Sequence, residues 1–113
     1  MHEVSLMAQT LELAIAQVHT QQANRIHRLK MRIGELSGVV PEALAFAFEV
    51  AIPGTLAAGA VLELETVPAR CHCRACERDF QPTDWFYECP HCGQLSSQIL
   101  AGKEIELTSL EVS

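Results

Sequence analysis

Aromatic residues are scarce in this chain, at 5% of the whole. One tryptophan, one tyrosine and four phenylalanines leave the core to aliphatic side chains. Positive charge is scarce as well. Eight Lys and Arg stand against fourteen Asp and Glu, a formal net charge of −6. Nucleic-acid binding needs clustered cations for phosphate contacts, so that class is disfavoured. Long apolar runs are missing, and none reaches the roughly 18 residues that span a bilayer. The opening MHEVSLMAQT lacks a basic stretch ahead of an apolar core, so it does not read as a signal peptide. A cytoplasmic protein without a membrane partner is the expectation. Cysteine is absent before residue 71 and after residue 92, yet five lie between. An odd number at short spacings in such a chain reads as a metal site rather than a disulfide framework.

What is present suits one globular domain, or one domain carrying a small module. There are 113 residues, 49% apolar and 19% charged. Val4, Met7, Leu11, Ile15 and Val18 recur at helical spacing and predict a helix over 4–19, with Leu6 and Leu13 widening its stripe. Residues 25–33 alternate instead. Leu29, Met31 and Ile33 point one way, and Arg28, Lys30 and Arg32 the other, which predicts a half-buried strand. Pro41 opens a second helix whose face is Leu44, Ala47, Phe48 and Ala51, and Pro53-Gly54 ends it. Strands follow at 61–67 and 104–112, both with exposed glutamates, the latter with a bulge near Thr108-Ser109. Opposite charges on facing strand positions stabilise a sheet, so the basic strand belongs between the two acidic ones. The helical crossover implies that the first two strands are parallel and the third antiparallel. The expected fold class is α+β: a small three-stranded mixed sheet packed by two helices, with an inserted zinc-ribbon-like module.

That module begins at residue 69, where the composition changes. Cys73-Arg-Ala-Cys76, twelve residues, then Cys89-Pro-His-Cys92 is a strong zinc pattern. Four thiolates make a closed tetrahedral site, structural rather than catalytic. Gly93 suits the turn after the second pair, whereas Glu77 takes the matching place after the first. Phe80, Trp85, Phe86 and Tyr87 are expected to cover the site. So short a region cannot build its own core, so metal binding supplies most of its folding free energy. Cys71, His72 and His91 are left over, as bystanders or as tuning or competing ligands. Within 69–95 three arginines face Glu77, Asp79, Asp84 and Glu88, which leaves no basic stripe for nucleic acid.

The N-terminus is the second informative feature. His2 is too bulky for a methionine aminopeptidase to remove Met1, so the α-amine stays in register. That amine, the His2 amide nitrogen and the His2 imidazole can form fused chelate rings, and Glu3 can add its amide nitrogen or carboxylate. Nitrogen-rich planar coordination suits Ni(II) or Cu(II). Amides at a helix start have no intrahelical partner and are free to take part. On chemistry alone a histidine at this position is more often a solvated residue. His19 and His27 read as surface or structural residues.

These segments taken together resemble the HypA/HybF family of hydrogenase nickel-insertion proteins. MHEVSL, RIGELSGVVPEALAFAFE, GTLAAGAVLELE, CRAC…CPHCG and KEIELTSLEVS occur in family order over nearly the whole chain. The resemblance implies a nickel-binding α/β domain of residues 1–68 plus 104–113, with a zinc-binding module of residues 69–103. It implies nickel held at His2, with Glu3 shaping the site, and zinc held by Cys73, Cys76, Cys89 and Cys92. Ni(II) is then transferred cargo, Zn(II) is structural, and the partners are a HypB-type GTPase and the [NiFe]-hydrogenase large subunit. Service to urease, and monomer or homodimer, stay open. Cys71 and Glu77 depart from the family pattern. No nucleophile–base set, no GxxxxGK[ST] loop and no open zinc position occurs, so no enzyme is expected. The rivals are a zinc-stabilised adaptor with no transferable nickel, a nucleic-acid-binding ribbon, and a metal-dependent hydrolase.

Overall fold

The computed structural model describes residues 2–82, 86–96 and 98–113. The chain runs through α1 (Glu3–Thr20), β1 (Ile26–Gly34), α2 (Pro41–Ala51) and β2 (Val61–Val67). It continues through β3 (Arg70–Cys73), β4 (Arg78–Phe80), β5 (Gln98–Ala101) and β6 (Ile105–Val112). One sheet has the order β2-β1-β6, with β2 parallel and β6 antiparallel to β1. The second has the order β4-β3-β5 and is antiparallel.

The basic strand lies in the middle of the first sheet, as its charge pattern predicts. Arg28 reaches Glu63 at 3.7 Å and Glu111 at 3.6 Å. Arg32 reaches Glu65 at 2.8 Å and Glu106 at 3.7 Å. The glutamates are about half or more exposed and the arginines partly so, so each pair contributes at most about 1 kcal/mol. The alternate residues Leu29, Met31 and Ile33 are buried beneath α1 and α2 with Leu44 and Phe48. Facing them from the outer strands, Leu62, Leu64, Ile105, Leu107, Leu110 and Val112 are half-buried. The β6 register slips where Lys30 pairs Ser109 and Met31 pairs Leu107, which makes Thr108 the extra residue of a bulge.

Two helix faces differ from expectation. In α1 the buried stripe is Leu6, Met7, Thr10, Leu11, Ala14 and Val18, while Val4 is 71% and Leu13 63% exposed. The stripe turns with the true helical period, so it takes in Thr10 and leaves Leu13 exposed on the flank towards β6. Thr10 is tolerated there because its hydroxyl donates to the Leu6 carbonyl at 2.9 Å. In α2, Ala51 is exposed and Ile52, just past the helix, is buried in its stead.

The sheets join where the β1–α2 loop grips both connecting segments. The Glu35 amide donates to the Val67 carbonyl at 2.9 Å, and the Leu36 amide to the Gly102 carbonyl at 2.6 Å. The Glu35 carboxylate accepts the Ala69 amide at 3.1 Å. Gly34 and Gly102 let the backbones meet: a Cβ on Gly34 would sit 2.0 Å from the Gly102 oxygen.

Candidate metal centre

β3 and β4 form a hairpin in which Cys73 pairs with Arg78. Cys76 lies within its turn, and Glu77 closes the turn in the left-handed region, at φ +53°. The second CxxC is a matching turn. There Gly93 has φ +77° and its amide donates to the Cys89 carbonyl at 2.9 Å. The Glu88–Leu95 bridge and the Cys89 amide donating to Gln94 hold its stem.

These two turns bring four sulfurs together. Cys73, Cys76, Cys89 and Cys92 place their Sγ atoms within 4.8 Å of one another. Cys73 and Cys92 are 3.6 Å apart, and Cys89 and Cys76 4.0 Å. A tetrahedral zinc with Zn–S bonds of about 2.3 Å needs sulfurs about 3.8 Å apart. The donor set fits in number, chemistry and spacing.

The electrostatics also suit a metal. The amide of Cys92, and with it that of His91, points at Cys89 and pulls its thiol down to about 7 against desolvation. Cys76 is pushed up to about 12 by its hydrogen bond to Cys92, by burial, and by Cys89 and Cys73. Without a cation the four sulfurs share protons; a dication replaces those protons and removes the mutual repulsion.

Cys71 is not part of this group. It lies two residues before Cys73 on the same side of β3, fully buried with Cys73, Phe80 and Cys89. Burial raises its thiol pKa. Phe80 and Tyr87 pack in this cluster, Phe86 is 72% exposed, and Trp85 lies outside the described residues, as does the Asp84 of the module's charge balance. His72 faces the other side of β3. Its Nδ1 donates to Asp79 at 2.7 Å, and Arg70 holds the second carboxylate oxygen at 2.7 Å. His72, then Arg70, hold the Asp79 carboxyl below its ordinary range. Sequence reading missed this link; the strand register that pairs His72 with Asp79 is the signal that carries it. His91 is exposed.

At the other feature, His2 is the N-cap of α1 with extended backbone, φ −79° and ψ 122°, and its side chain makes no capping bond. Its carbonyl accepts the Leu6 amide at 3.0 Å. His2 is exposed and Glu3 half-exposed in the first turn. The amides of Glu3, Val4 and Ser5 have no acceptor within the helix. The Met1 amine lies outside the described residues. Away from the helix start, His27 pairs with the Ser113 hydroxyl at 2.6 Å, and His19 is exposed in the last turn of α1.

The family described as hydrogenase/urease nickel incorporation, metallochaperone, HypA matches residues 1–112. The chain belongs to the HypA family. A hydrogenase maturation factor HypA of Picosynechococcus is 57% identical over 112 residues, 99% of each chain. Another, of Acidithiobacillus ferrooxidans, is 42% identical over 99% of each. The solution structure of the Ni metallochaperone HypA from Helicobacter pylori matches with a TM-score of 0.67. It is 27% identical and covers 99% of this chain and 97% of that one. A second HypA solution structure gives 0.71 at 28% identity. The HypA family is one of metallochaperones in nickel incorporation and hydrogenase maturation, so the resemblance read from the sequence holds. The α+β fold, which in this chain carries a four-cysteine module, is shared with these HypA solution structures. No helix among the described residues is long and apolar enough to cross a membrane.

Proposed function

We propose that this chain carries Ni(II) on its N-terminus and delivers it during assembly of a [NiFe]-hydrogenase. The observation that supports this most is the exposed His2 at the helix cap, free of any capping bond, beside Glu3 and open amides. In this reading the His2 imidazole and amide bind the cargo with the Met1 amine, and Glu3 shapes the site. The positive end of the helix dipole weakens the hold on a dication, and the Glu3 carboxylate offsets part of that. An exposed, moderately held ion suits ligand-by-ligand exchange with a partner.

Cys73, Cys76, Cys89 and Cys92 hold Zn(II) in this reading. The ion supplies charge neutralisation and cross-linking to a region with little apolar core. The chain's own part is to aim the Cys92 and His91 amides at Cys89 and to hold Cys73 on β3. The unit of residues 1–68 plus 104–113 then carries nickel, and 69–103 carries zinc. The partners are a HypB-type GTPase and the hydrogenase large subunit, in the cytoplasm, and the chain itself is not an enzyme.

The test is hydrogenase maturation in cells lacking the native factor. The expected result is that His2→Ala leaves the large subunit without nickel while the variant itself accumulates and keeps its zinc. Full maturation with His2→Ala, together with failure of Cys89→Ala, would turn the reading into that of a zinc-stabilised adaptor.

A further inference from the structure

We propose that the free edge of β6, with the groove between it and α1, docks an extended segment of another protein that alternates basic and apolar residues. The sheet order leaves β2 and β6 at the edges. An edge strand presents unpaired N–H and C=O groups to a further strand. Both edges are acidic: Glu63 and Glu65 on β2, Glu106 and Glu111 on β6. The basic strand of the chain, β1, is enclosed between them. Two copies meeting edge to edge therefore set glutamates against glutamates, an arrangement that like-charge repulsion opposes. The same edges favour a foreign strand bearing Lys or Arg.

The β6 edge has a groove beside it. Leu13 of α1 stands 63% exposed above it, and Leu107 and Leu110 form its floor, around a space of about 690 Å³. A strand added to β6 drops alternate side chains into this space and sets the others on the opposite face, beside Glu106 and Glu111. The chain already uses this code on the inner side of β6. There β1 buries Leu29, Met31 and Ile33 while Arg28 and Arg32 reach Glu111 and Glu106. Those contacts are long, at 3.6 and 3.7 Å, and the two glutamates keep 67% and 49% of their side chains exposed. Both carboxylates remain open to cations from the outer side. The bulge at Thr108, whose hydroxyl donates to the Lys30 carbonyl at 3.2 Å, divides the edge into 105–107 and 109–112. Pairing is therefore short, and the groove contacts carry much of the affinity.

The surface needs neither metal, so its test stands apart from the nickel reading. The probe is a short capped peptide alternating lysine and valine, with a glutamate–valine peptide as control, titrated into isotopically labelled full-length protein. The expected result is amide shifts confined to 105–112 and the facing side of α1, with binding that weakens as salt rises. Leu13→Gln, which removes the apolar contact without adding charge at an exposed helix position, should weaken binding about tenfold. Glu106→Gln with Glu111→Gln should flatten the salt dependence. Shifts elsewhere, equal binding of the acidic peptide, or full affinity in Leu13→Gln would overturn the proposal. So would a concentration-dependent dimer that Leu13→Gln abolishes, since the occupant would then be a second copy.

Discussion

Glu77 and Gly93 stand in the same place after the two CxxC pairs, and both adopt left-handed backbone, at φ +53° and +77°. A glycine does so at no steric cost; a glutamate carries strain of about 1 kcal/mol. The two halves of the cysteine site are thus alike in shape and unequal in ease. Glu77→Gly should stabilise the zinc-loaded protein by up to about 1 kcal/mol. Gly93→Ala should cost a similar amount through its φ, because the added Cβ itself meets only Glu88 Oε1 at an ordinary 3.5 Å. Thermal unfolding of the two variants beside the wild type checks both signs.

Cys71 and Cys89 are both buried, and only Cys89 belongs to the metal-holding group. Cys89→Ser should lose zinc and unfold the second sheet. Cys71→Ala should keep one zinc and lose about 1 kcal/mol or more of stability from a core vacancy. Metal analysis with unfolding curves separates the two; zinc loss in Cys71→Ala would make it a ligand.

Zinc retention should fall as pH falls. In the metal-free cluster Cys76 sits near 12 and Cys89 near 7, so loading must displace protons and acid competes with the metal. A chelator competition across pH should show zinc affinity dropping with acidification. Asp79 adds a separate contribution. Its folded pKa is depressed, so its stabilising effect is present above the unfolded carboxylate pKa and lost as pH falls through the lower folded value. Asp79→Asn should remove that acid-side slope from the stability curve.

Gly34→Ala should cost about 2 kcal/mol or more, because the clash is with backbone at Gly102 rather than with a mobile side chain. Solution scattering reports whether the sheets separate, and thermal unfolding gives the cost.

The charge pattern made the first sheet legible. Arg28, Lys30 and Arg32 against Glu63, Glu65, Glu104 and Glu106 set the strand order, and the helical crossover set the strand direction. The bulge at Thr108 followed from the parity change in β6. The four-cysteine cluster was legible because spacing alone forces two turns around one centre. Helix faces were less so: Val4 and Leu13 look apolar in a linear pattern, yet only packing decides which side of a stripe meets the sheet. The β4-β3-β5 sheet and the His72–Asp79 link were not legible, since three- and four-residue strands have too few alternations to read. The proposed nickel site rests on the family resemblance: a single histidine at a helix cap has no spacing to recognise, and its chemistry alone reads as a solvated residue.

The most direct measurement is a nickel titration of untagged, zinc-loaded protein, wild type beside His2→Ala, with both metals counted. One zinc on each protein and a tight nickel site on the wild type alone are expected. Equal nickel binding by the two proteins would contradict this and move the cargo site away from the N-terminus.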